Sequence, residues 1–190
     1  ELLKSEKIDS KYVTEINNDI QRLETIANRF GKIGSVPQLI VTDIVQATKN
    51  SVHYLESRSS KLITFNSELP EGPIFVNLNA TLFSWTIENL IKNGIDAMKG
   101  KGTLDIKMHT TPQDVFVEIS DTGYGLSKKQ FKTIFETGYT TKKRGWGLGL
   151  SLAKRIIEQY HDGKIRVLNS ELGKGTTLQI TLKKITNGSQ

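Results

Sequence analysis

Hydrophobic positions near the start of the chain follow a helical repeat. Between Ser10 and Phe30 apolar residues return every three or four positions, as in a heptad seam: Val13, Ile16, Ile20, Leu23, Ala27 and Phe30. Three heptads predict an N-terminal coiled-coil-like helix, and a helix lying on its own domain is the alternative reading of the same pattern. Gly31 then breaks the helical pattern, and Gly34, Ser35 and Pro37 predict a linker at 34–38.

The pattern after the linker alternates between the two periods, 3.6 residues for helices and two for strands. It predicts a strand at 39–41, a helix from Asp43 to about Ser57 and strands at 61–69 and 74–76. A longer helix follows, with Asn79 as its cap; it runs to about Met98 and is closed by Gly100 and Gly102.

The second half of the chain predicts a hairpin followed by further helices and strands. The hairpin strands are expected at 103–108 and 115–120. Ser127 and Gln130 form a capping box for a short helix to about Phe135. The last predicted elements are a helix at 148–160 and strands at 164–168 and 176–183. Adjacent antiparallel strands mixed with helices indicate an α+β fold with one sheet face covered by helices.

Composition narrows the class of protein. The 190 residues are 36% hydrophobic and 24% charged, without a run of about 20 apolar residues, which predicts a soluble globular chain. The absence of cysteine excludes disulfides, thiolate nucleophiles and cysteine zinc sites, and it favours the cytoplasm. The net charge of +6 is scattered along the chain, so we expect ordinary solvated charge and no nucleic-acid partner.

One face of the long predicted helix is polar although its neighbours are apolar. Asn89, Asn93 and Asp96 are spaced by four and three residues, so they project together. Polar side chains beside a core stripe are costly unless they bind something, and amide oxygens suit Mg²⁺. A solvated helix edge is the alternative.

Two glycine-rich segments could approach a flat, phosphorylated ligand. Asp121 follows a strand and precedes Gly123 and Gly125, so its carboxylate could accept a hydrogen bond from an exocyclic amine; a simple turn is the alternative. Gly145, Gly147 and Gly149 open a helix whose N-terminal N–H groups could bind phosphates. The spacing matches neither a Rossmann fingerprint nor a Walker loop.

Five motifs in this order resemble the catalytic ATP-binding domains of sensor histidine kinases, within the superfamily that includes gyrase, mismatch-repair and heat-shock chaperone ATPases. The matching segments cover roughly residues 38–184: the asparagine box at 89–98, a glycine box at 121–126, a phenylalanine region at 134–142, a second glycine box at 145–150 and a G-x-G-T pattern at 173–178. The resemblance implies the Bergerat fold, a two-layer α/β sandwich with a mixed, mostly antiparallel sheet.

The resemblance also implies a site for ATP and Mg²⁺. Asn93 would hold Mg²⁺, Asp121 would read the adenine amine with help from Thr176 through water, and residues 126–146 would form an ATP lid. The implied nucleotide-binding residues are Asn89, Lys92, Asn93, Asp121, Gly123, Gly125, Thr141, Lys142, Gly145, Gly147, Leu148, Gly149 and Thr176. Further expectations are that Lys143 and Arg144 face solvent, that His161 is a C-terminal helix cation, and that Tyr139 and Trp146 pack the lid.

Several departures from the family pattern shape the expected activity. Thr137 and Gly138 stand where the family often has proline and an aromatic residue, which predicts a looser lid, and Gly94 replaces a frequent alanine, which predicts a weaker helix. None of the three histidines has a phosphoacceptor context, so the catalytic residues remain unassigned and no self-phosphorylation is expected.

We therefore expect a fragment of a longer kinase, divided as 1–33 (part of the dimerisation and phosphotransfer hairpin), 34–38 (linker), 39–185 (ATP-binding domain) and 186–190 (tail). Its expected partners are the phosphoacceptor hairpin helix, a response regulator receiver domain and a second copy in a full-length homodimer. Any membrane anchor of the full-length protein would lie outside these residues.

Three functions remain open on the sequence. The leading hypothesis is phosphoryl transfer from ATP to a histidine carried elsewhere. The second is a non-catalytic module in which ATP orders the lid and changes partner binding. The third, an ATPase of the gyrase or mismatch-repair type, is disfavoured because those enzymes have glutamate where this chain has Asn89, and Glu88 is one residue away.

Overall fold

The structure is a computed structural model that describes residues 37–142 and 145–185. Three expectations fall outside the described residues. They are the N-terminal helix with most of its linker, the solvent-facing positions of Lys143 and Arg144, and the tail at 186–190.

The described residues form seven strands and four α-helices. In chain order the elements are β1 (Ile40–Asp43), α1 (Ile44–Glu56), β2 (Ile63–Glu68), β3 (Phe75–Leu78), α2 (Ala80–Ala97), β4 (Gly102–Thr110), β5 (Asp114–Asp121), α3 (Gln130–Thr133), α4 (Gly149–Arg155), β6 (Lys164–Glu171) and β7 (Gly175–Lys183). A π-helical turn, Ile156–Tyr160, continues α4. The expected elements at residues 39–183 are therefore present, with shifted ends.

The strands form two sheets. The main sheet has the order β2-β4-β5-β7-β6, in which β2 runs parallel to β4 and every other pair is antiparallel. The smaller sheet is the antiparallel pair β1 and β3. This arrangement confirms the α+β class and the mixed, mostly antiparallel sheet, and the antiparallel β4 and β5 confirm the predicted hairpin.

Helices cover one face of the main sheet. Along β5 the buried side chains are Val115, Val117 and Ile119, as a period of two requires. Helix α2 contacts β4, β5, β7 and α4, and it buries Phe83 and Ile87 completely. The hydrophobic effect of this burial holds α2 against the sheet, at about 1.5–3 kcal/mol for each large side chain.

The other face of the sheet is polar. Gln179 on β7 donates from Nε2 to Glu118 Oε1 at 2.8 Å and accepts at Oε1 from Arg166 Nε at 2.9 Å. On the same face, Asp105 Oδ1 of β4 accepts from Asn66 Nδ2 of β2 at 2.8 Å. The sheet therefore has one helix layer, in agreement with the two-layer prediction.

Side chains cap the first turns of α1 and α2, and the cap of α2 is the predicted Asn79. Asp43 Oδ1 accepts from Val45 N at 3.0 Å at the start of α1, and Asn79 Oδ1 accepts from Leu82 N at 3.1 Å at the start of α2. After α2, Lys99 and Gly100 both adopt positive φ (55° and 79°), and Gly100 N donates to Ile95 O at 3.0 Å. The predicted closure by glycine is thus shared with a lysine.

His161 differs from its expectation. It is only 5% exposed; its Nδ1 lies 2.8 Å from Ile156 O, and its Nε2 accepts from Asn79 N at 3.0 Å. One ring nitrogen must donate while the other accepts, so the ring is neutral, and burial lowers its pKa. The prediction of a helix-terminal cation is wrong because the ring ties the end of the π-helical turn to the start of α2.

Neutral His161 makes the stability of the domain depend on pH. Because the folded-state pKa lies below the ordinary value of 6.5, the unfolded chain takes up the proton first as pH falls. The free energy of unfolding should be highest above about pH 6.5 and should decrease below it, toward the folded-state pKa. His161→Ala should remove this slope and cost about 1–3 kcal/mol, because two buried backbone groups lose their partner.

Urea denaturation between pH 5.5 and 8 measures both effects. The matched control is His53→Ala, which removes an exposed histidine from α1 and should keep the wild-type pH slope. A wild-type stability that is constant over this range would contradict the neutral assignment of His161.

Candidate functional site

The polar face of α2 meets the start of α4. A Cβ added to Gly149 would lie 3.4 Å from Asn89 Oδ1, so the first residue of α4 sits directly beside this side chain. Asn89 Nδ2 is buried and has no hydrogen-bond partner among the described residues. A buried donor without a partner is costly, so this nitrogen is free to bind an acceptor brought by a ligand.

One turn further along α2, a lysine from the glycine-rich loop reaches the same face. Lys142 Nζ lies 2.9 Å from Asn93 Oδ1 and pairs with Asp96 Oδ2. The amide oxygen of Asn93 thus already accepts from a positively charged group, the ammonium of Lys142. Lys92, also a predicted phosphate contact, instead forms an exposed ion pair with Glu88 at 3.2 Å, and therefore does not join this group.

The end of β5 carries the second part of the site. Asp121 Oδ1 accepts from Gly123 N at 2.8 Å, and the backbone N–H of Thr176 also donates to this carboxylate. Burial raises the pKa of Asp121 above its ordinary value, while the two N–H donors lower it. The structure therefore brings Asp121, Gly123 and Thr176 together.

The glycines beside Asp121 permit a close helix-to-strand approach. A Cβ on Gly94 of α2 would lie 3.1 Å from Asp121 Cβ and 3.1 Å from Leu104 Cδ2, and a Cβ on Gly123 would lie 2.6 Å from Ala97 Cβ. Gly94 was expected only to weaken α2. In the structure it lets the helix lie directly on the end of β5.

The segment between the two glycine boxes packs only in part. Tyr139 packs against the core, and its hydroxyl accepts from Gln130 Nε2 at 2.9 Å, so its predicted packing is confirmed. Trp146 is 52% exposed, so its predicted packing is wrong. One of the two hydrogen bonds of the predicted capping box forms, since Gln130 Oε1 accepts from Ser127 N at 2.9 Å. The other is missing, because α3 has no side-chain hydrogen bond at its N-cap.

The remaining predicted residues lie around these groups. Gly147, with φ 63°, accepts at its carbonyl from Gly138 N at 3.0 Å and closes the loop. Thr141 is exposed, with Oγ1 3.4 Å from the hydroxyl of Tyr124. Gly125, with φ 70°, is pressed against the carbonyl of Glu171, and Gly145 against Thr140 Oγ1. Leu148 directly precedes α4.

Sequence reasoning missed Ser170. This residue pairs with Thr176 across β6 and β7, and its hydroxyl lies 2.8 Å from Thr176 Oγ1. The available signal was the G-x-G turn at 173–175, since a hairpin turning there places Ser170 opposite Thr176.

Two features are absent from residues 37–142 and 145–185. No group of three or more His, Asp or Glu side chains is placed to hold a metal ion. Nor does this part of the chain contain a helix with the length and apolar character needed to cross a membrane.

Comparison with known proteins identifies relatives on both sequence and structure. The chain is 30% identical over 188 residues to sporulation kinase E of Bacillus subtilis (strain 168), a match that covers 94% of the chain and 24% of that kinase. The chain thus spans about a quarter of this relative's length. The catalytic domain of histidine kinase ThkA, free of nucleotide, matches with 26% identity and a TM-score of 0.70, covering 77% of the chain and 96% of that domain.

A third match shows the fold alone. The structure of histidine kinase ThkA in complex with response regulator protein TrrA matches with 24% identity and a TM-score of 0.73, over 99% of the chain and 55% of the kinase.

The family model described as histidine kinase-, DNA gyrase B- and HSP90-like ATPase matches residues 79–186, which is more than half of the chain and contains both parts of the site. The chain therefore belongs to the histidine kinase-, DNA gyrase B- and HSP90-like ATPase family.

Proposed function

We propose that this chain is the ATP-binding catalytic part of a sensor histidine kinase, which delivers the γ-phosphoryl group of ATP to a histidine on a helical hairpin. The observation that carries the proposal is that α2 contacts the Asp121 carboxylate at Gly94 and places the unpartnered amide of Asn89 beside Gly149. The kinase relatives support the same activity. In this proposal 39–185 is the catalytic domain, 34–38 the linker, 1–33 part of the hairpin and 186–190 a tail.

The base would bind at the end of β5. Asp121 already accepts two backbone N–H groups, which hold its carboxylate in place. A carboxylate is an acceptor, so it suits the exocyclic amine of adenine and disfavours the carbonyl oxygen of guanine. Gly123, Gly125 and Thr176 would border the base.

The phosphates would bind between α2 and the start of α4. The unpartnered Nδ2 of Asn89 offers a donor, and the segment from Gly145 through Leu148 to Gly149 leads into the N-terminus of a helix, where backbone N–H groups suit phosphates. Lys142, Thr141 and Lys92 would supply further contacts from the rim. Of these, Lys142 already lies on the helix face concerned.

The residues present fit a magnesium ion. Asn93 Oδ1 holds the ammonium of Lys142 at 2.9 Å, so its environment accepts a cation, and Mg²⁺ commonly takes one or two protein oxygens together with water and phosphate. When bound, Mg²⁺ would neutralise phosphate charge. Asn93 would then exchange Lys142 for the metal, which frees the lysine for a phosphate oxygen.

Transfer requires mainly positioning and charge neutralisation. The bond between the γ-phosphorus and its bridging oxygen breaks, a phosphorus–nitrogen bond forms on the acceptor imidazole, and ADP leaves. Glu88, the carboxylate nearest in sequence to the ATPase position, is held by Lys92 at 3.2 Å. The asparagine at position 89, where those ATPases have glutamate, favours a kinase over a hydrolytic ATPase of the gyrase type.

The proposed partners follow from the kinase function. They are ATP, the phosphoacceptor hairpin helix, a response regulator receiver domain and a second copy of the full-length protein, without nucleic acid. The complex of ThkA with TrrA supports the response regulator. The lack of cysteine supports a cytoplasmic location.

Asp121→Asn should weaken ATP binding by about 1–3 kcal/mol, the range for a hydrogen bond to a charged group. Calorimetry of wild type and variant with ATP and GTP measures this change. Asp105→Asn is the matched control, because Asp105 lies one strand away and its side chain faces the opposite side of the sheet, bonded to Asn66. Equal affinities of the wild type for ATP and GTP would remove the base-reading role.

Asn93→Ala should abolish the Mg²⁺-dependent part of nucleotide affinity and leave a metal-independent affinity for adenosine, because Asp121 is a separate part of the site. Titrations with and without Mg²⁺ measure the difference. Asn50→Ala, which removes an exposed amide from α1, is the control. A variant that binds Mg²⁺-ATP like the wild type would show Asn93 to be only a helix-face amide.

The chain should phosphorylate a separate histidine-bearing hairpin when it is mixed with γ-labelled ATP, yielding acid-labile, base-stable label on the hairpin. The chain itself should stay unlabelled, because His161 is buried and none of its three histidines has a phosphoacceptor context. Mass spectrometry checks both proteins. Nucleotide binding without transfer would favour the gated module, and stoichiometric phosphohistidine at 53, 109 or 161 would contradict an external acceptor.

A further inference from the structure

A single row of paired residues crosses all five strands of the main sheet. Its members, in spatial order, are Phe65, Leu104, Asp121, Thr176 and Ser170. They lie on the face that the helices cover, since Ile119 and Leu178, two positions away on β5 and β7, belong to the core. Asp121 is therefore flanked by an apolar neighbour on one side and by two hydroxyl groups on the other.

The hydrogen bonds of Ser170 determine the direction of the Thr176 hydroxyl. Ser170 Oγ accepts from Leu126 N at 2.7 Å and donates to Gly175 O at 2.9 Å. A carbonyl oxygen has no hydrogen to give, so the single hydrogen of Ser170 is committed there. In the 2.8 Å contact between Ser170 Oγ and Thr176 Oγ1, Thr176 must then be the donor.

This direction leaves Thr176 Oγ1 with lone pairs only. Its neighbour in the row, Asp121, also presents oxygen lone pairs, because its carboxylate accepts from Gly123 and from the backbone of Thr176. Adjacent residues in such a row lie about 5 Å apart at Cβ, so both oxygens can meet one edge of a planar base. The two side chains form an acceptor wall, defined here as the Asp121 carboxylate and Thr176 Oγ1.

We propose that Ser170, by fixing the direction of the Thr176 hydroxyl, sets the base selectivity of the nucleotide site; this inference rests on the nucleotide-binding function proposed above. An acceptor wall favours a base edge that carries an amine and opposes an edge that carries a carbonyl. Without Ser170 the Thr176 hydroxyl can rotate and donate to a carbonyl. Ser170 touches no nucleotide in this scheme and is a positioning residue.

The test compares ATP with ITP, whose base carries at this edge a carbonyl in place of the amine and an N1–H in place of the bare ring nitrogen of adenine. Calorimetry gives the ratio of the ITP dissociation constant to the ATP dissociation constant, and the wild type should bind ATP more tightly. In Ser170→Ala this ratio should fall roughly fivefold, the equivalent of one neutral hydrogen bond gained by ITP. Ser170→Thr keeps the hydroxyl and should keep the wild-type ratio.

Ser120→Ala is the matched control. Ser120 and Thr177 form the neighbouring cross-strand pair, with their hydroxyl oxygens also 2.8 Å apart, but on the polar face of the sheet. Losing this contact should leave the ratio unchanged. If Ser170→Ala does not fold, as judged by thermal melting, Ser170→Cys replaces the hydroxyl by a weak donor and should lower the ratio in the same direction.

The outcomes separate this inference from the proposed function. Equal weakening of ATP and ITP by Ser170→Ala, or no change in either, overturns the inference, because the serine then only supports the loop at Leu126. Wild-type protein that binds ATP and ITP equally overturns the inference while nucleotide binding stands. Wild-type protein that binds neither overturns the proposed function and this inference with it.

Discussion

The site depends on the close contact of α2 with the end of β5. A Cβ on Gly94 would lie 3.1 Å from Asp121 Cβ, and a Cβ on Gly123, just after β5, would lie 2.6 Å from Ala97 Cβ, so side chains at these positions would push the helix and the strand apart. The apolar residues of α2 hold the helix against the sheet, and the two glycines allow it to lie close to Asp121. Because Asn89 and Asn93 lie on this same helix, the contact that positions the carboxylate also positions the amides.

From this contact the site divides into two regions with different chemistry. The proposed base region is built on the sheet, where strand pairing places Asp121 beside Thr176 and backbone N–H donors hold the Asp121 carboxylate. The proposed phosphate region lies between α2 and the loop before α4, where Lys142 pairs with Asp96 through half-exposed side chains. Exposed ion pairs contribute little free energy, so this contact can be exchanged for a ligand without cost to the fold. The strand-paired region thus suits recognition of the base, and the exposed region suits a phosphate chain that changes during transfer.

Much of this arrangement follows from local sequence signals. Asp43 and Asn79 cap their helices, Asn89 and Asn93 share a face, and Asp121 ends a strand, because each depends on spacing within one element. The features that could not be predicted depend on tertiary pairing. The parallel partner of β2, the neutral state of His161, the exposure of Trp146 and the place of Ser170 beside Thr176 are all fixed by distant segments. Gly94 shows the difference most clearly, since its local cost in helix propensity is offset by a contact with β5.

A crystal structure of the chain with a non-hydrolysable ATP analogue and Mg²⁺ tests the central claim most directly. The expected result is an adenine amine within hydrogen-bond distance of Asp121, with phosphate oxygens between Asn89 and Gly149 and the metal on Asn93 Oδ1. Lys142 should have left Asn93 for a phosphate. A nucleotide bound elsewhere, or one whose base lies away from the end of β5, would contradict the claim that the contact of α2 with this strand creates the site.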